Sequence, residues 1–397
     1  MAAAANTGKV AILGGARTPI GSYGGALAEL PAHELGAVAT RAALERTGVA
    51  GEQIGEAVFG CIGQVGGDAY VARRIALAAG LPASTPAYTV NRLCGSGLQA
   101  IWNAGMELRW GTADYILAGG AESMSRMPFY DFGARSGKRL GNRTLTDGTL
   151  AMLTDPFHDK LMGWTAERVA DEYSVSRAEQ DAFAAESQRR TALPESQELF
   201  AAETVPVTTP GRKPVTVTAD EHPRPGTTIE VLAGLRPSFG ADGSVTAGNS
   251  SGINDGACAV VVALEDLARE QGHTPLATLE AVGIGAMAPE FMGYAPVLAL
   301  QDLFAQTGLA AGDIDLFEVN EAFAAQAVAV VRDAGLDPER TNPHGGAIAL
   351  GHPVGATGAM LTLRAALDLN RRDLEYAVVT MCIGGGQALA ALLRRAG

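Results

Sequence analysis

A chain of 397 residues is long enough for two or three compact units of about 150 residues each, and with 47% apolar against 18% charged side chains it is not a disordered protein. Lysine and arginine number 30 against 43 aspartate and glutamate; the net charge of −13, with no basic run, argues against nucleic acid as a partner. Four scattered cysteines exclude a disulfide scaffold or a paired-cysteine metal site, so no metal is expected.

Taken in chain order, near-continuously apolar runs at 9–13, 57–59, 115–118, 259–263, 316–319 and 377–381 predict strands buried on both faces. Helical periodicity over 32–47, 97–109, 321–334 and 358–371 separates them, which gives a layered α/β fold. GEQIGEAVFG (51–60) and AGDIDLFEVN (311–320) align Ile54 with Ile314, 260 positions apart. Residues 96–120 align with 357–381, Gly97 with Gly358 and Tyr115 with Tyr376, 261 apart. Two matches at nearly one offset imply a duplicated unit. Residues 126–249 carry nine of the 19 prolines and read as a loop-rich insertion, either a surface excursion or a lid over a substrate. One helix in it is plain, where Ser176 and Glu179 form a capping box ahead of RAEQDAFAAESQRR. The expected organisation is a first half at 1–125 continued by 250–274, the insertion at 126–249, and a second half at 275–397. No apolar stretch nears the roughly 18 residues that span a bilayer, and residues 1–5 lack the features of a leader, so a cytoplasmic protein without membrane partners is expected.

Four strings stand out chemically. In TVNRLCGSGLQAI (89–101) a strand turns through glycines into a helix, placing Cys94 at a helix N-terminus, where free N–H groups favour a thiolate. NPHGGAIALGHPVGATGA (342–359) holds His352 in a tightly specified segment that occupies, in the repeat, the slot of the Cys94 loop. In MCIGGGQAL (381–389) Cys382 ends a buried strand and runs into three glycines whose N–H groups suit an oxyanion. In VNEAFAAQ (319–326) Asn320 and Glu321 mark a strand-to-helix turn, with an N-cap asparagine as the plain alternative. All four are expected at the carboxyl ends of strands, where ligands gather in such sheets. Cys61, Cys258, His33, His158, His222 and His273 read as structural.

Together these strings resemble the signature loops of the thiolase family, acyl-CoA acyltransferases that make or cleave 3-ketoacyl-CoA, and the similarity runs from VAILGGARTPIGSYGG (10–25) to the last strand. The resemblance implies a duplicated five-layer α-β-α-β-α fold with an inserted loop domain. It makes Cys94 the acylated nucleophile, His352 its base, Cys382 the acid/base at carbon, Asn320 the holder of a water beside the enolate oxygen, and the N–H groups of Cys94 and Gly384 an oxyanion hole. It places coenzyme A against Leu153, Met162, Arg224, Phe239, Ala247, Ser250 and Ser251, with Met292, Ala322 and Phe323 toward the pantetheine or acyl end. Coenzyme A and acyl-CoA are then substrates, no cofactor is tightly bound, and the chain forms a homo-oligomer, a dimer through the first half and a dimer of dimers through the insertion near 126–145. Two departures from the family pattern are Leu161, where a histidine is common, and His344, where asparagine is usual and which would set an ionisable group close to His352. A decarboxylating ketoacyl-synthase-like enzyme is the competing chemistry, and Cys382 argues against it; a catalytically silent acyl-CoA-binding protein would have no reason to keep all four polar residues. Acetoacetyl-CoA synthesis, fatty-acid degradation and ketoadipyl-CoA cleavage stay open.

Overall fold

A computed structural model describes residues 7–397; residues 1–5, read above for the absence of a leader, lie outside them. Among the described residues no helix is long and apolar enough to cross a membrane.

Pairing extends the apolar runs into strands β1 (Val10–Arg17), β2 (Ile54–Gly60), β3 (Ala87–Val90), β4 (Tyr115–Ser123), β5 (Asn254–Leu264), β6 (Ala277–Ala286), β7 (Leu316–Val319), β8 (Tyr376–Ile383) and β9 (Gln387–Arg395). Neither β6 nor β9 is among the predicted strands. QALAALLRR consists mostly of good helix formers, and its antiparallel ladder with β6 from Ala277↔Arg395 to Ala286↔Gln387 overrides that preference.

The ladder order is β3-β2-β4-β5-β1-β6-β9-β8-β7, and it repeats one plan twice. β1 pairs antiparallel with β5 as β6 does with β9, each with a register shift near its start, at Ile12/Gly14 and at Leu279/Ala281. β5 and β9 pair antiparallel with β4 and β8, and these run parallel to β2 and β7. The edge place of β3 is taken in the second half by one parallel bridge from Phe317 to Thr341. β1 and β6 meet antiparallel at Val10 to Ile12 and Leu279 to Ala277, so the halves are related as by a local twofold.

The repeat seen in the sequence has a packing cause. The helices Ser96–Trp110 and Thr357–Arg371 share the central core, where Leu98 and Ile101 of one and Met360 and Leu363 of the other meet strand residues of both halves such as Val260 and Val379. A Cβ on Gly97 would stand 2.8 Å from the backbone nitrogen of Ala359, and one on Gly358 2.6 Å from that of Leu98. The matched glycines are therefore the crossing point, and neither tolerates a side chain. Helices Ala32–Thr47 and Val71–Ala78 cover the outer face of the first half, Ala295–Thr307 and Ala324–Asp333 that of the second. Five layers result, α-β-α-β-α.

The stretch 126–249 is more helical than its prolines suggest. It contains Met162–Glu172, Arg177–Thr191 and Pro194–Glu203, while six of the nine prolines fall between 206 and 237. Ser176 caps the second of these helices, its Oγ accepting from the Glu179 N–H at 3.3 Å while the Glu179 carboxylate accepts from the Ser176 N–H at 2.7 Å. A buried charge cluster ties this stretch to both halves. Glu203 accepts from Arg17 Nε at 2.5 Å and from Arg364 Nη2 at 2.8 Å, and Asp220 takes both Nη groups of Arg17 at 2.7 and 2.9 Å. Burial by itself would push the Glu203 carboxyl up, but the two guanidinium groups hold it below its usual value. Removing one partner of such a buried pair costs about 3–5 kcal/mol, because the other is left charged and uncompensated.

Candidate active site

Cys94 follows β3 through a turn in which Leu93 adopts φ +48°, an uncommon conformation for a branched residue that holds about 1–3 kcal/mol of strain. Gly95 then lets the loop lie against β8, since a Cβ there would come within 2.5 Å of Ile383 Cδ1. That contact carries the Cys94 loop to the end of β8, where Cys382 and Gly384 sit. Gly385 and Gly386 have φ +82° and +84°, a turn closed to ordinary side chains. It leaves the Gly384 N–H pointing at the Cys94 sulfur, joined there by the N–H of Cys94 itself. Two converging backbone donors of this kind suit a developing oxyanion.

His352 follows the short helix Ala347–Leu350 rather than a strand, so three of the four strings, not all four, lie at strand ends. Its loop is fixed from both sides. Its N–H donates to Asn254 Oδ1 at 2.9 Å, and the buried Glu122 carboxylate accepts from the Gly355 N–H at 3.0 Å and from those of Ile62 and Gly63 at 3.0 and 2.8 Å. The hydrogen bonds also assign the ring's tautomer. Thr357 Oγ1 donates to the Pro353 carbonyl at 3.0 Å, so it accepts from His352 Nδ1–H at 2.7 Å. Nε2 therefore carries the lone pair on the side of Asn320, whose Nδ2 lies 3.4 Å away. Asn320 is buried, and among the described residues its Oδ1 has no donor. It does not cap the following helix, which starts at Ala324 rather than 321 because Phe323 is extended and bridges to Ser250.

Electrostatics revise the expectation of a resting thiolate. Burial pushes the Cys94 thiol up to about 11, outweighing the two N–H groups that favour the anion. Burial likewise holds His352 down to about 4 and pushes Cys382 well above the usual thiol range. The site thus holds two thiols beside a neutral imidazole, and attack by either sulfur would need a base.

Cys94, His352, Cys382 and Gly384 line one largely apolar cavity of about 510 Å³. Leu153, Met162, Phe239 and Ala247 from the insertion line it too, with Arg224 as its cation. Ser250, Ser251, Ala322 and Phe323 form another part of the wall, held by Ser251 N–H to Ala322 O at 3.0 Å, and Met292 packs there against Cys382. Asn320 stands just behind, reaching the cavity through His352. Of the two departures, Leu161 is on the wall, whereas His344 is not; its ring turns to Ser196 at 2.9 Å and Asp368 at 3.1 Å and so adds no group beside His352. The sequence reading missed Thr357 and Glu122, as well as Tyr23 and His222 on the wall. Thr357 was findable, because it occupies the slot of Ser96 at the repeat offset. Nothing local marks His222.

Residues 10–266 match the model of the thiolase N-terminal domain and residues 273–395 that of the thiolase C-terminal domain. The chain belongs to the thiolase family. Beta-ketothiolase BktB of Cupriavidus necator is 47% identical to this thiolase over 392 residues, covering 98% of this chain and all of that protein. The crystal structure of the Bacillus anthracis acetyl-CoA acetyltransferase superposes with a TM-score of 0.96 at 38% identity, over 99% of this chain and 100% of that one. Human mitochondrial 3-ketoacyl-CoA thiolase in complex with CoA superposes at 0.94 and 40% identity over the whole of both chains.

Proposed function

We propose that this thiolase, an acyltransferase acting on coenzyme A thioesters, carries the acyl group on Cys94. The observation that supports this most is the convergence on one sulfur of two backbone N–H donors and, in the same cavity, a histidine whose free nitrogen is assigned by its hydrogen bonds. The Cys94 sulfur attacks the thioester carbonyl as its proton passes to His352 Nε2, and the N–H groups of Cys94 and Gly384 take the oxyanion, each such donor being worth about 3–4 kcal/mol. The carbonyl re-forms, and coenzyme A leaves as its thiol with the proton from His352. Cys382, its own thiol proton passing to the again neutral His352, then removes a proton from the carbon next to the carbonyl of a second acyl-CoA. His352 and a water held by Asn320 stabilise the enolate oxygen, and the carbanion attacks the acyl-Cys94 carbonyl, forming 3-ketoacyl-CoA and releasing the Cys94 sulfur as its thiol with the proton from His352. Thiolysis is the reverse. Coenzyme A lies along the insertion wall with Arg224 facing its phosphates. The decarboxylating and silent alternatives are not favoured by the family match.

After a brief pulse of acetyl-CoA and an acid quench, peptide mass mapping is expected to find the acetyl group on Cys94 alone. Label on Cys382 or Cys61 with Cys94 bare would overturn the assignment. We also infer a cytoplasmic homo-oligomer, a dimer of dimers using the 126–145 stretch. Support comes from the exposure of Phe129, Phe132, Leu140 and Leu145 there, an apolar surface unusual for a free monomer. Light scattering should give a mass several times 40.8 kDa at micromolar concentration, and a stable monomer would refute it.

A further inference from the structure

The stretch 220–224 crosses the outside of the molecule as a strap, and four of its residues are tied to four different places. Asp220 is held by Arg17 at the end of β1. The His222 ring donates to the Ile348 carbonyl, just ahead of His352. The Arg224 N–H donates to Gln188 Oε1 at 2.9 Å. Between these lies Glu221, whose N–H donates to the Ile20 carbonyl at 2.9 Å and whose carboxylate sits in a cradle of backbone donors, accepting from the Ser22 N–H at 2.9 Å and from the Ala26 N–H at 3.1 and 3.2 Å. The cradle exists because residue 25 is glycine. A Cβ on Gly25 would collide with Glu221 Oε2 and stand 2.8 Å from the Ser22 carbonyl oxygen.

Glu221 is exposed and takes no part in the buried charge cluster, nor does it line the cavity. Its neighbours do. Ser22 and Tyr23 on the cradle side and His222 and Arg224 on the strap side all face the same cavity. We infer that Glu221 is a positioning residue for coenzyme A: by plugging the 22–26 backbone cradle it locks the strap to the first half and holds Arg224 and His222 against the nucleotide side of the site. This rests on the reading of that wall as the coenzyme A site. A charge-assisted bond to backbone N–H groups is stronger than a neutral one and has fixed geometry, which suits it to pin this part of the strap beside the buried Asp220–Arg17 pair. Its loss should weaken binding that is equal in the ground and transition states, raising KM while leaving kcat.

The test uses the whole enzyme in thiolysis of acetoacetyl-CoA, with acylation by the acetyl thioester of N-acetylcysteamine, which lacks the nucleotide, as a second readout. Glu221→Ala, which removes the acceptor of both cradle N–H groups, is expected to raise KM for coenzyme A about tenfold. Its kcat, its melting temperature and its acylation by the short thioester should stay near those of the wild type. Gly25→Ala, whose Cβ meets both the carboxylate and the Ser22 carbonyl oxygen, should raise KM for coenzyme A at least as much, and the double variant should be no worse than Gly25→Ala alone. Glu221→Gln keeps an acceptor oxygen and should recover most of the affinity. If Arg224→Ala raises KM for coenzyme A but Glu221→Ala does not, the positioning role is refuted. If neither does, the placement of coenzyme A on this wall is wrong as well. Equal losses with both thioesters would show Glu221 to be merely structural and would also overturn the proposal.

Discussion

Cys382→Ser is expected to keep the acetylation of Cys94 while losing at least about 10²-fold in carbon–carbon bond formation and cleavage, the scale of a missing general base. Serine is close in size to cysteine, so the packing of residue 382 against Met292 and Ala322 survives. The hydroxyl, however, is a far weaker acid than even a buried thiol, and it cannot cycle a proton at carbon. Cys94→Ser should instead block both steps, because the acyl-enzyme precedes the carbon chemistry. Acetyl exchange from acetyl-CoA to another thiol reads the first step and thiolysis of acetoacetyl-CoA the second. Near wild-type thiolysis by Cys382→Ser would refute the proposed second step and revive a decarboxylating mechanism. Because the two sulfurs share one small site, the losses need not add.

His352→Asn should slow single-turnover acylation by about 10³-fold at pH 7, within the range for a general base. The pH dependence separates this from simple damage. In the wild type the base is competent when neutral, and burial holds its pKa near 4, so acylation should be flat from pH 5.5 to 9 and fall only as pH drops toward 4. In the variant the thiol must ionise unaided. With Cys94 near 11, the residual rate should climb about tenfold per pH unit up to about pH 10. A wild-type rate that turns down near pH 6.5, or a variant whose residual rate ignores pH, would contradict the neutral-pair description. The same shift acts on stability. An imidazole buried neutral takes up no proton until about pH 4, whereas in the unfolded chain it does so near 6.5, so its effect is absent above 6.5 and destabilises the fold as pH falls from there toward 4.

Much of this was legible in the linear chain because it depends on local chemistry. Gly97 and Gly358 declared the duplication, since a helix crossing that close admits no side chain and must repeat if the unit repeats. Ser176 and Glu179 declared a helix start, a motif complete within four residues. The glycines at 384–386 declared a turn with free N–H groups, and the strings around Cys94, His352 and Cys382 declared the segments that the fold brings to one cavity. Other features escaped because they arise from partners distant in sequence. β9 becomes a strand only when β6 and β8 flank it, against its own helical preference. The helix after β7 starts late because Ser250, 73 positions before Phe323, draws that residue into an extended bridge. The strap at 220–224 acquires a role only through a backbone cradle nearly 200 residues earlier. The sequence by itself determined which functional groups exist and the order in which the turns present them. Tertiary structure alone decided that Cys94 rests as a thiol and His352 as a neutral imidazole with Nε2 free. Protonation and tautomer are set by desolvation and by hydrogen-bond partners, and a chain acquires these only once layers far apart in sequence have closed over the side chain.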